Sequence, residues 1–132
     1  MIQEYRRDTT TVSLINYHFI WISRRRRKVL VGPVAERLRN LIDEKAKALD
    51  CAVLALEIMP DHVHLFINAH PRIAPYQIMH EIKGYSARVL RSEFKDRLSH
   101  LPSMWTRSYF VSTDGNLSGD IIRRYVEEQK TK

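Results

Sequence analysis

Two apolar runs, Ala52-Val53-Leu54-Ala55-Leu56-Glu57-Ile58-Met59 and His62-Val63-His64-Leu65-Phe66-Ile67, meet at Pro60-Asp61. A Pro-Asp pair between stretches rich in β-branched and large apolar residues reads as a tight turn joining two strands. The first run, broken only by Glu57, reads as a central strand. In the second, side chains alternate between faces, so His62 and His64 share one side and Val63, Leu65 and Ile67 point into a core. Two imidazoles so placed can reach one divalent metal. Such a pair is more often plain polar surface, and it does not by itself decide for a metal site.

The flanking chain supplies the rest of an α+β domain. Residues Met1 to Thr11 are polar and read as a flexible arm. From Val12 to Ser23, Tyr17, Phe19 and Trp21 alternate with His18, Ile20 and Ile22, which predicts a strand buried on at least one face. Gly32-Pro33 opens a helix whose apolar positions Val34, Leu38, Leu41, Ile42 and Leu49 recur at helical spacing. A second helix is expected from about Tyr76 to Phe94, with Ile78, Ile82, Tyr85, Val89 and Phe94 as its buried stripe. Gly84 inside it suggests close packing or close backbone approach. Trp105 to Thr113 reads as a strand with Trp105, Arg107, Tyr109 and Val111 on one face; Trp105 and Tyr109 suit base stacking or core packing. A last helix starts near Ser118 or Asp120 and fills residues 118–132.

This order of elements matches a ferredoxin-like (RRM-like) split βαβ fold: an antiparallel sheet with two helices on one face. His62 and His64 then belong to the other face. The terminal helix must lie across or beside that face for its side chains to meet them. Tyr125 and Gln129, four apart, occupy one face of that helix. A phenol can attack phosphorus, and an amide oxygen one turn away can complete a metal site.

Charge names the partner class. A formal charge of +7 and a pI near 9.8 call for a polyanion, nucleic acid ahead of an anionic membrane surface. Arg24, Arg25, Arg26, Arg27 and Lys28 form the densest basic run. Its place at a strand end favours phosphate contact over a merely solvated turn. The length of 132 residues suits one domain. No apolar run approaches the roughly 18 residues that span a bilayer, and no signal-peptide core precedes the domain. Cys51 is the only cysteine, which excludes an intrachain disulfide and points to a reducing compartment.

Taken together, these residues resemble the small single-tyrosine HUH transposases of the insertion-sequence-200 type, HUH standing for His, hydrophobic, His. The resemblance runs through Tyr17-His18-Phe19-Ile20-Trp21 with the basic turn after it, and through Met59-Pro60-Asp61-His62-Val63-His64-Leu65. It continues through Ile82-Lys83-Gly84-Tyr85-Ser86-Ala87-Arg88, Trp105 to Thr113, and Tyr125 with Gln129. It implies a DNA transposase that cleaves and rejoins single-stranded DNA at insertion-sequence ends. Tyr125 would be the nucleophile forming a 5′-phosphotyrosine, and His62, His64 and Gln129 would be the metal ligands. The two-His, one-amide set suits Mg²⁺ or Mn²⁺ rather than structural Zn²⁺. The family further implies recognition of subterminal DNA hairpins, a homodimer whose tyrosine helix acts in trans, and a cytoplasmic prokaryotic setting at the nucleoid. Arg24 to Lys28, Lys83 and Arg88 are the candidates for DNA-backbone contact. Rival readings are a related HUH nuclease acting on repeated palindromes or replication origins, and a non-catalytic ferredoxin-like binder of single strands. No residue stands out as the general base: Asp61, Glu127 and Glu128 are near in sequence but read as surface charge.

Overall fold

The computed structural model of the chain describes residues 4–113 and 119–128. At its centre the expected hairpin forms from β4 (Ala52–Met59) and β5 (His62–Ala69), paired antiparallel with Met59 opposite His62. On its other side β5 pairs antiparallel with β3 (Ile15–Ile22), residue for residue from Ile15 against Ala69 to Ile22 against His62. The short β6 (Phe110–Ser112) adds to the outside of β3, giving the order β4-β5-β3-β6, antiparallel throughout. Between β3 and β4 runs α1 (Gly32–Ala48), and between β5 and β6 runs α2 (Pro75–Glu93), followed by the short α3 (Lys95–Leu98). This is the ferredoxin-like layout expected of the sequence.

Both long helices have local causes. Gly32 takes φ +56°, a left-handed conformation that glycine adopts without a Cβ clash, and Pro33 follows in the first turn of α1. Val34, Leu38, Leu41, Ile42 and Ala46 form the buried stripe of α1. At the start of α2, Pro75 supplies a fixed φ, and Gln77 Oε1 accepts the Ala74 N–H at 2.8 Å. Both stripes face Phe19, Trp21, Val63, Leu65 and Ile67 in the main core.

Several expectations need revision. The stripe of α2 is Ile78, Met79, Ile82, Ser86 and Leu90, rotated from the expected set; Tyr85, Val89 and Phe94 lie at its margin. Ser86 is tolerated in the core because its Oγ donates to Ile82 O and accepts from Trp105 Nε1. The strand expected over 12–23 is broken before Ile15. Its first part, β2 (Val12–Ser13), pairs with β1 (Arg6–Arg7), so residues expected to be a loose arm include a small hairpin. Arg6 Nε ties that hairpin to Asn68 Oδ1 at 2.6 Å.

The apolar run 52–59 is an edge strand, not a central one. Among the described residues it has a partner on one side only, with a register shift between Val53 and Ala55 and exposed Leu54 and Met59. The stretch 105–113 is a strand only over Phe110–Ser112. Trp105 makes a single bridge to Ser23, and the Thr106 and Ser108 carbonyls accept from Lys83 Nζ rather than from a strand. Trp105 belongs to the core: it is 6% exposed and meets Trp21 edge-on at 6.0 Å.

Gly84 has no packing reason for being glycine. A Cβ built there meets nothing within 4 Å. Gly84→Ala is therefore expected to stabilise the fold by about 1 kcal/mol, the helix-interior difference between the two residues. Chemical denaturation checks this as a higher midpoint with an unchanged slope. A lower midpoint would contradict the open space at this position.

Candidate active site

The sheet face away from α1 and α2 is where the chemistry-bearing residues collect. β5 presents His62 and His64 there, both half-buried, with ring centroids 5.0 Å apart. Cross-strand register sets Ile22 and Met59 beside His62, and Ile20 and Glu57 beside His64. α4 (Gly119–Glu128) lies over the same face of its own chain. Ile122, Tyr125 and Val126 pack with Ile20, Ile22 and Phe110 in a second, smaller cluster. The pattern on β3 thus has two apolar faces: Phe19 and Trp21 serve the helices, while Ile20 and Ile22 seat the tyrosine helix.

Tyr125 is half-buried in that cluster. Its ring lies 5.7 Å from that of Phe110, and its hydroxyl makes a long 3.4 Å contact to Ser108 Oγ. Burial pushes the phenol above its ordinary value, which the Ser108 contact only partly offsets. Beside the cluster, a groove of about 120 Å³ is lined by His18, Glu57, His64, Phe66 and Ile122. His18 stacks on Phe66 with centroids 4.2 Å apart. Burial, with His62 and His18 nearby, holds His64 below the usual imidazole value despite Glu57. A neutral imidazole keeps the lone pair that a metal needs.

The turn between the hairpin strands is not surface charge. Asp61 is 9% exposed. Its Oδ1 lies 2.8 Å from His62 Nδ1, and its Oδ2 accepts from Arg26 Nε at 3.3 Å. Burial works against ionisation, but the hydrogen bond from His62 and the Arg26 guanidinium outweigh it. Together they hold the carboxyl below its ordinary value. The expectation for Asp61 is thereby corrected, whereas Glu127 and Glu128 are exposed.

The basic run is a short 3₁₀ turn, Arg24–Arg26, in which Arg25 and Arg26 both have positive φ. Left-handed conformations cost such residues about 1–2 kcal/mol each. Ser23 helps hold the turn, its Oγ donating to Arg27 O at 2.6 Å. Arg25, Arg27 and Lys28 are exposed; Arg24 donates to Ser103 Oγ, and Arg26 is committed to Asp61. Lys83 is turned inward to the Thr106 and Ser108 carbonyls, and burial lowers its pKa to about 8. Arg88 is exposed and lies over the Tyr85 ring. Gln129 lies outside the described residues.

Among the described residues, no three His, Cys, Asp or Glu side chains cluster as a metal cage. The His62–His64 pair nevertheless suits a divalent ion that takes further donors from elsewhere. Both rings sit on one face, and one is already oriented by a carboxylate. His18, Glu57 and Ser108 join the site as well; His18 and Ser108 lie in stretches that carry the resemblance, but neither stood out there as a site residue. The alternation on β3 would have found His18 once its pairing with β5 was known; nothing in the 105–113 stretch set Ser108 apart from its neighbours.

The comparisons with known proteins agree along the chain. Residues 11–129 match a family model described as transposase IS200-like. Over 132 residues the chain is 33% identical to the ISDra2 transposase TnpA of Deinococcus radiodurans, covering 98% of this chain and 94% of that one. A solved structure of a proposed transposase from Deinococcus radiodurans R1 superposes with a TM-score of 0.89 at 32% identity, over 96% of this chain and 99% of the other. A solved REP-associated tyrosine transposase bound to a REP hairpin gives a TM-score of 0.59 at 18% identity, over 96% and 68%. That last likeness is one of fold. A match running from the first strands through the tyrosine helix means that the chain belongs to the IS200-like transposase family.

Proposed function

We propose that this transposase cleaves and rejoins single-stranded DNA through a covalent link between Tyr125 and a 5′-phosphate, at a site completed by a divalent cation. The coarse activity, DNA transposition, follows from family membership. The observation that carries the finer reading is the seating of the Tyr125 helix on the sheet face that bears His62 and His64.

His62, His64 and Gln129 would hold Mg²⁺ or Mn²⁺, the second suiting imidazole better. Bound there, the cation supplies Lewis-acid stabilisation of charge on a phosphate oxygen. Tyr125 Oη attacks phosphorus, forming the Oη–P bond as the P–O3′ bond breaks. The phenol gives up its proton, and the leaving strand ends as a 3′-hydroxyl. The phosphotyrosine conserves the bond, so another 3′-hydroxyl reverses the step and restores the phenol without ATP. The apolar seat of Ile20, Ile22, Phe110, Ile122 and Val126 limits water around the phenol. Exposed Arg25, Arg27, Lys28 and Arg88 are the side chains available for the strand's phosphates.

The substrate is single-stranded DNA carrying hairpins at the transposon ends, and a homodimer is the working unit. The test is a labelled flank hairpin incubated with protein and Mn²⁺ or Mg²⁺. A metal-dependent covalent adduct is expected; a bound hairpin with no adduct would leave a binding module as the better reading. Among the described residues no helix is long and apolar enough to cross a membrane, and action on chromosomal DNA fits a cytoplasmic location.

Action in trans is proposed from the family, although α4 here rests on its own sheet. Co-refolded Tyr125→Phe and His64→Ala chains then restore activity, because mixed dimers contain one composite site with both groups intact. Roughly a quarter of all sites would be active after random pairing. No restoration in proven heterodimers would place Tyr125 and His64 of one chain in the same site.

A further inference from the structure

We infer that Asp61 is a positioning residue: its carboxylate fixes the tautomer of His62, leaving Nε2 as the nitrogen with the free lone pair. The inference rests on the metal-site reading above, but its first consequence belongs to the protein alone.

The geometry leaves the carboxylate little choice. Asp61 Oδ1 is 2.8 Å from His62 Nδ1. An ionised carboxylate can only accept, so the nitrogen it meets in a neutral imidazole must be the one that carries hydrogen. The other carboxylate oxygen is taken by Arg26 Nε at 3.3 Å. The backbone is pinned as well, since Asp61 O accepts from Ser23 N at 3.0 Å and from Ser23 Oγ at 3.3 Å. The side chain is therefore held between a ring on one side and a guanidinium on the other, at 12% side-chain exposure.

Arg26 gains a role different from the one its place in a basic run suggested. It stands in the left-handed conformation, at φ +54°, and its Nε reaches the buried carboxylate. Arg26 thus acts through Asp61 on His62, while Arg25, Arg27 and Lys28 face solvent. Supporting carboxylates of this kind orient ligand histidines, and their loss typically weakens metal binding about 10–100-fold.

The test starts with metal-free, ¹⁵N-labelled protein. Long-range imidazole correlation spectra of the wild type are expected to give His62 as the Nδ1–H tautomer, and Asp61→Asn is expected to shift it towards Nε2–H. Mn²⁺ affinity, read from the spin resonance of free Mn²⁺, should fall about 10–100-fold in Asp61→Asn and Asp61→Ala and recover in part in Asp61→Glu. A wild-type His62 protonated at Nε2 overturns the inference, and that measurement needs no variant to fold. So does unchanged Mn²⁺ affinity in Asp61→Asn when His62→Ala weakens binding. If His62→Ala binds Mn²⁺ as the wild type does, it is the metal-site reading that fails, and the tautomer still decides the role of Asp61.

Discussion

Tyr125→Phe is expected to abolish the covalent protein–DNA adduct while leaving the fold intact. The substitution removes one oxygen, and that oxygen is the proposed nucleophile, so strand cleavage should fall by at least about 10³-fold. The ring remains, and with it the packing against Phe110, Ile20 and Ile22. Among the described residues the hydroxyl approaches Ser108 Oγ at 3.4 Å, too long to contribute much. Stability should therefore change by less than about 1 kcal/mol, and hairpin affinity by less than twofold. An adduct that persists in the variant would assign the chemistry to another side chain.

The same variant isolates the phenol's ionisation. Burial holds Tyr125 above its ordinary value of 10.0, so an ultraviolet difference titration between wild type and Tyr125→Phe should reveal one phenol titrating later than a free tyrosine. The native state then keeps a proton that the unfolded chain has released. Its contribution to stability is complete below pH 10 and declines as pH rises through the native value. A neutral phenol at physiological pH must also lose its proton during attack. Cleavage is accordingly expected to accelerate with pH from neutrality upward.

How much of this was legible in sequence depends on how far each signal reaches along the chain. His62 and His64 could be placed on one face, opposite Val63, Leu65 and Ile67, because the alternation of a strand is a local rule. Helical periodicity is equally local and gave Val34, Leu38, Leu41 and Ile42 of the α1 stripe, but Leu49 caps the helix and Ala46 takes its place. The rank of β4 in the sheet was not, since an apolar run looks alike at the edge and in the centre, and sheet order is set by pairing with residues far away. The inward face of α2 rotated because Trp105, arriving from a distant segment, needs Ser86 as its hydrogen-bond partner. Asp61 read as turn chemistry because its sequence context is a turn; its burial depends on Ser23 and Arg26, more than thirty residues earlier. The positive φ of Arg25 and Arg26 had no sequence signal, because neither is a residue that prefers that conformation.

His64→Ala is expected to remove the metal dependence of cleavage by removing the cleavage. A single imidazole, His62, would remain on that face of β5, and two ligands on one strand are what make the pair more than a polar surface. Adduct formation should drop by about 10²–10³-fold, and added Mn²⁺ should restore little of it. The fold should tolerate the change better than the activity does. His64 is half-buried, its burial already works against the charged ring, and Ile20 and Glu57 flank it in register. Comparison with wild type stripped by a chelator then separates two causes of lost activity: the stripped wild type recovers on adding Mn²⁺, whereas His64→Ala does not. Equal recovery would mean that the cation is held without His64. The face shared by β3, β5 and α4 would then bind DNA, with the metal placed elsewhere.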